Sequence, residues 1–183
     1  HRQRAGRLAA FASATAMTRL LGLPPLVCAD TRLLVLGSFP GAASLAAQQY
    51  YGHPQNQFWR ILQAIYASSA YSMGGSSYEY RSNWMLSHGV GLWDVYASCE
   101  RQGSLDSQIR NPEVNDFKAL RQRCPQLRAV AHNGAESFRH TARLENLGLP
   151  TVRLPSTSPA NASWSFERKL AAWRDVFEQF GLI

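Results

Sequence analysis

Apolar residues along this 183-residue chain fall into two kinds of run. The first kind is short. Thr31 to Gly37 (TRLLVLG), Gly91 to Tyr96 (GLWDVY), Leu127 to Ala131 and Thr151 to Leu154 read as strands, and the first is apolar enough to be buried on both faces. The second kind has helical spacing. In Asn56 to Ser68 (NQFWRILQAIYAS), Phe58, Ile61, Leu62 and Ile65 share one face. Further helices are predicted around Tyr80 to Leu86, around Asn115 to Gln122, from Asn133-Gly134 through Phe138 and Ala142, and from Trp164 to Phe180. Gly74 to Ser77 reads as a flexible stretch. Strands alternating with helices predict an α/β fold: a single-domain three-layer α/β/α arrangement with a central, mainly parallel four-stranded sheet. Ligands of such sheets bind outside the carboxyl ends of the strands. The loops at 37–56, 94–99, 132–134 and 155–162 are therefore expected to converge on one site.

Length suits one compact domain. Residues 1–24, rich in Ala and Arg, read as an N-terminal leader or helical extension, with Met17 as a plausible natural start. Residues 25–183 read as the folded domain. No run reaches the roughly 18 apolar residues of a spanning helix, so no membrane role is expected. The formal charge is +7, and all cations but Lys118 and Lys169 are arginines. A basic, Arg-rich surface suits a polyanion, and nucleic acid is the commonest. Cys28, Cys99 and Cys124 are far apart without metal-like spacing, which predicts reduced thiols and argues against an iron–sulfur cluster. No metal and no cofactor are expected.

Chemistry concentrates in three places. Gly37-Ser38-Phe39-Pro40-Gly41 follows the first strand and permits a tight turn with exposed backbone amides. It leads to Gln49-Tyr50-Tyr51-Gly52-His53-Pro54-Gln55-Asn56-Gln57-Phe58-Trp59. The two tyrosines can stack on a flat base or close a core over the loop, and Asn56 at a helix start can be a plain N-cap. Asp94 ends the second apolar strand, where a buried carboxylate must either cap a turn or meet a ligand. Pro155-Ser156-Thr157-Ser158-Pro159-Ala160-Asn161 offers hydroxyls to phosphate or caps the last helix. His132-Asn133-Gly134 opens a helix, and His132 reads as a loop histidine satisfied by its neighbours.

The run GSFPG followed by QQYYGHPQNQFW resembles the first motif of the uracil-DNA glycosylase superfamily. It is most similar to its hypoxanthine-DNA glycosylase (DNA-deoxyinosine glycosylase) group, and the resemblance runs from about Thr31 to the C-terminus. It implies a glycosylase domain over 25–183 that hydrolyses the N-glycosidic bond of deaminated bases in DNA. Much of the superfamily carries its catalytic Asp or Asn where Phe39 stands here. In the hypoxanthine group the Asn of H-P-x-N is catalytic, which maps to Asn56. The same mapping makes Tyr51, Asp94, Ser38 and Phe39 the base-binding set, with Tyr51 stacking on the flipped base. Ser156, Thr157, Ser158 and Asn161 fall in the DNA-gripping loop, where Leu154 replaces a polar residue of relatives.

The implied partner is DNA containing deaminated bases, met by a monomer in the cytoplasm (bacterial nucleoid) or, in a eukaryote, the nucleus. No lysine lies near a motif, so Schiff-base lyase chemistry is not expected, and no HxE…PCxxC pattern signals a zinc deaminase. Two alternatives stay open: a non-catalytic nucleic-acid-binding module on the same fold, and an N-glycosidase acting on a small nucleotide. The choice among hypoxanthine, uracil, xanthine and mismatched thymine also stays open.

Overall fold

The computed structural model describes residues 18–66 and 76–183. In chain order the elements are β1 (Arg19–Leu21), β2 (Leu33–Gly37), α1 (Ala42–Ala47), α2 (Phe58–Ile65), α3 (Tyr78–Ser87), β3 (Val90–Asp94), β4 (Tyr96–Glu100), β5 (Arg110–Val114), α4 (Leu120–Arg123), β6 (Ala129–Asn133), α5 (Ala135–Phe138), α6 (Thr141–Glu145), β7 (Thr151–Leu154) and α7 (Phe166–Gln179). A parallel sheet runs in the order β3-β2-β6-β7. This is the expected four-stranded α/β architecture.

The layers follow from the period of two along β2, whose five residues are all buried. Leu33 and Val35 face a cluster with Phe58, Ile61 and Leu62 of α2, Met85 of α3, and Trp173 and Phe177 of α7. Leu34 and Leu36 face the other way, against Phe39, Tyr96, Phe117, Leu120 and Leu144. Successive side chains of a strand point to opposite faces, so one apolar run organises both cores. The helices begin on serine caps where the sequence supplies them. Ser77 accepts from Tyr80 N–H at 3.1 Å and Ser165 from Arg168 N–H at 3.2 Å, each contributing about 1 kcal/mol.

Several expectations change. A second, antiparallel sheet in the order β1-β4-β5 stands beside the first. The run GLWDVY does not continue as one strand: β3 ends at Asp94, and Tyr96 begins β4 in that other sheet. The helix expected around Asn115 to Gln122 shrinks to the single turn of α4. Asn115 instead spends its amide on Asp94, donating to its carbonyl at 2.8 Å. The boundary expected after residue 24 falls inside the domain, because β1 pairs with β4 and Leu23 is buried in the core. Residues 1–17, most of the expected leader, residues 67–68 at the end of the helix expected over Asn56 to Ser68, and residues 74–75 of the expected flexible stretch lie outside the described residues. All three thiols are free, with Cys99 and Cys124 buried.

Candidate active site

Parallel pairing brings the carboxyl ends of the strands to one edge. Gly37 lies opposite Asp94, and Asn133 lies opposite Leu154. Together with the loops that follow, these residues line a cavity of about 1000 Å³. Three of the four expected loops reach it. The fourth does not, because 96–100 is β4; only Asp94 of that stretch lines the cavity, and Ser104 to Ser107 take its place.

Asn56 lines this cavity. Its Oδ1 accepts the Phe58 N–H at 3.0 Å, and its own N–H donates to the His53 carbonyl at 3.0 Å. The N-cap of α2 is Gln57, without a side-chain cap bond, so Asn56 stands one residue before the cap and closes an Asx turn onto the first helical N–H. This turn does not exhaust the residue, because an amide oxygen has two lone pairs and Nδ2 carries two further donors. The helix start fixes the amide plane at the cavity wall.

Tyr51 takes a left-handed backbone (φ 54°), uncommon for a non-glycine residue and costing on the order of 1–3 kcal/mol. Its ring packs on Phe58 at 4.5 Å between centroids, and its hydroxyl accepts from Asn133 Nδ2 at 3.1 Å. Burial first, and Asp94 second, push its pKa up, so the hydroxyl stays protonated. Tyr50 turns the other way, buried in the core and donating to the Pro24 carbonyl at 2.7 Å. Both rings line the cavity, but Tyr50 belongs to the core cluster while Tyr51 is only partly buried against it.

Asp94 is 5% exposed, and its Oδ2 has no hydrogen-bond partner among the described residues. A Cβ built on Gly37 would lie 2.5 Å from Asp94 Oδ1, so only glycine lets this carboxyl sit there. Burial above all, then the Asp106 carboxylate, raises its pKa to about 7, against the opposing pull of Arg101. Neither of the ion pairs among the described residues includes Asp94 or Asp106.

Ser38 donates to Asp106 Oδ1 at 2.6 Å. Desolvation raises the Asp106 pKa while this bond opposes the rise. Phe39 is buried, with the Arg101 guanidinium 5.2 Å from its ring centroid. Its side chain belongs to the core, and its N–H has no partner among the described residues. Arg101, itself buried, donates to the Pro40 and Gly103 carbonyls and ties the two walls of the cavity together.

The loop after β7 needs one correction. Thr157, expected among the phosphate-binding hydroxyls, is fully buried, and its Oγ1 accepts from Asn133 Nδ2 at 3.0 Å. It anchors the loop to the end of β6. Ser156 and Ser158 accept from the N–H groups of Ser158 and Ala160, which leaves both hydroxyl protons free. Asn161 donates to the Ser156 carbonyl at 3.1 Å. These three residues line the cavity mouth. Leu154 is buried in the core.

His132 is fully buried. Ser137 Oγ donates to the Leu36 carbonyl at 2.7 Å and so must accept from His132 Nδ1–H, also at 2.7 Å. Desolvation first, and His140 second, lower its pKa to about 4, leaving it neutral. It is a core histidine and does not line the cavity. Neither lysine lines it.

The model of the uracil DNA glycosylase superfamily matches residues 24–177. The chain belongs to the uracil DNA glycosylase superfamily. A hypoxanthine DNA glycosylase of Methanosarcina barkeri (strain Fusaro / DSM 804) is 35% identical over 158 residues, 86% of this chain and 98% of the relative. One of Methanosarcina acetivorans is 36% identical over 156 residues, 85% and 96% of the two chains. A solution NMR structure of a candidate uracil DNA glycosylase from Methanosarcina acetivorans superposes with a TM-score of 0.79 at 34% identity, covering 90% of this chain and 99% of the other. Within this superfamily fold, the sequence reading missed Asp106, Ser104 and Glu136, all of which line the cavity. Asp106 and Ser104 sit in the polar stretch Gly103 to Ser107, which has no periodicity to mark it.

Proposed function

We propose that this chain is a monofunctional DNA glycosylase that hydrolyses the N-glycosidic bond of a deaminated base, hypoxanthine or uracil, in DNA. The observation that carries the reading is the meeting of Asn56, Tyr51 and Asp94 around one cavity large enough for an extruded nucleotide. The names of the full-length relatives, hypoxanthine DNA glycosylases, support the substrate class.

The flipped base lies along Tyr51, whose opposite support is Phe58. Asp94 and the unpartnered Phe39 N–H read its edge. Asn56, with its amide plane held by the Phe58 N–H, orients a water toward C1′ as positive charge develops on the sugar. Ser156, Ser158 and Asn161 receive the flanking phosphates, with Arg153 exposed beside them. The acting species is read as a monomer.

The test is base release from oligonucleotides carrying one deoxyinosine or one deoxyuridine. Asn56→Ala should slow release by about 100-fold or more, while Asn56→Ser, which keeps a side-chain oxygen for the Phe58 N–H, should match wild-type melting and still be slow. Wild-type rates in both variants would exclude Asn56 as the catalytic group.

A further inference from the structure

The cavity has the wrong charge for a base that leaves as an anion. Asp94, Asp106 and Glu136 all line it, and the basic side chains that join them are the exposed Arg153 and His53 at its wall. Arg101 lies behind Phe39 and does not line the cavity. Asp94 is the deepest of the three carboxyls, with one oxygen against Gly37 and the other buried without a partner. The groups facing it are the Tyr51 hydroxyl, Tyr50, Asp106 of the turn before β5, and Arg101 after β4. An orphaned buried oxygen is costly unless a ligand completes it.

Resting on the glycosylase reading, we infer that Asp94 is the general acid for purine release, handing its proton to a ring nitrogen of the departing hypoxanthine. The proton leaves the Asp94 carboxyl for N7 or N3 of the base. The C1′–N9 bond breaks with its electron pair going to N9, so the base departs neutral. Water oriented by Asn56 adds to C1′, and the proton it loses returns to the Asp94 carboxylate through solvent. A donated proton removes the repulsion that Asp106 and Glu136 would exert on an anionic purine. Uracil needs this step less, because two carbonyl groups spread the charge of its own anion. The raised pKa of Asp94 keeps the proton available near neutrality.

The experiment is single-turnover base release by the full chain from deoxyinosine and deoxyuridine duplexes between about pH 5 and 9. Wild type should lose deoxyinosine activity as pH rises through about 7. Asp94→Asn retains size and hydrogen bonding but cannot transfer a proton. Its deoxyinosine rate should fall about 100-fold or more and lose that pH dependence, with a deoxyuridine loss at least about tenfold smaller. Equal losses on both bases, or an unchanged pH profile in Asp94→Asn, would overturn the inference. Uracil release without hypoxanthine release would overturn it too, while leaving the glycosylase reading intact. Release of neither base by wild type would sink the glycosylase reading and this inference together. The melting temperature of Asp94→Asn separates a chemical loss from a folding loss.

Discussion

Asn133 holds Thr157 by both ends of its side-chain amide. Its Nδ2 donates to Thr157 Oγ1 at 3.0 Å, and its Oδ1 accepts the Thr157 N–H at 3.0 Å. The same Nδ2 reaches the Tyr51 hydroxyl, and the Thr157 carbonyl accepts from Gln57 N–H at 3.0 Å. The end of β6 thereby fixes the Tyr51 ring, the loop after β7 and the residue beside Asn56.

Asn133→Ala should therefore cost more than an exposed amide would. It leaves the buried Thr157 hydroxyl and N–H without partners, a loss on the order of 2–3 kcal/mol. Denaturant unfolding should show that loss, and deoxyinosine cleavage should fall in the surviving folded protein. Unchanged stability would mean the loop holds itself.

Gly37→Ala places a methyl where the nearest atom, Asp94 Oδ1, is 2.5 Å away. The side chain of Asp94 must turn aside, while β2 keeps its ladder. Base release should drop about tenfold or more, with only a modest fall in melting temperature. Full activity would show that the placement of Asp94 is not critical.

Stability should respond to pH through two buried groups with opposite signs. The folded pKa of Asp94 is raised from 3.8 to about 7, so its contribution is fully present below about pH 4 and is lost as pH rises through about 7. The folded pKa of His132 is lowered from 6.5 to about 4, so its contribution is present above about pH 6.5 and is lost as pH falls through about 4. The two slopes oppose one another between about pH 4 and 6.5. Asp94→Asn removes only the first, so the variant should gain on wild type as pH rises, by a few kcal/mol at most at pH 8. Parallel stability curves for the two proteins would show that Asp94 is not desolvated.

Binding to DNA should weaken with salt, because arginines displace counterions from phosphates. Affinity for a duplex carrying a non-cleavable deoxyinosine analogue should fall at least about tenfold between about 50 and 200 mM salt. Indifference to salt would favour a small nucleotide as substrate.

Much of this arrangement was legible in the sequence, for reasons that differ by element. The apolar run of β2 announced a strand buried on both faces, and the Gly-Ser-Phe-Pro-Gly turn placed a binding loop at its end. Asp94 stood out because a carboxylate closing an apolar strand is expensive to bury. β5 gave no such signal: its residues RNPEV are nearly all exposed and include a proline, which edge strands tolerate. β1 was hidden in a stretch that read as a leader. The double hold of Asn133 on Thr157 joins residues 24 apart, and no local pattern encodes it. For the same reason Thr157 read as one hydroxyl among three, although it alone of them is fully buried.

The most direct test of the glycosylase account is chromatographic detection of free base after the wild-type chain meets a deoxyinosine duplex without any metal or cofactor added. Free hypoxanthine should appear in amounts equal to the alkali-labile abasic sites formed, with no strand cleavage before alkali. Tight binding to the duplex without free base would contradict it and leave a nucleic-acid-binding module on a glycosylase fold.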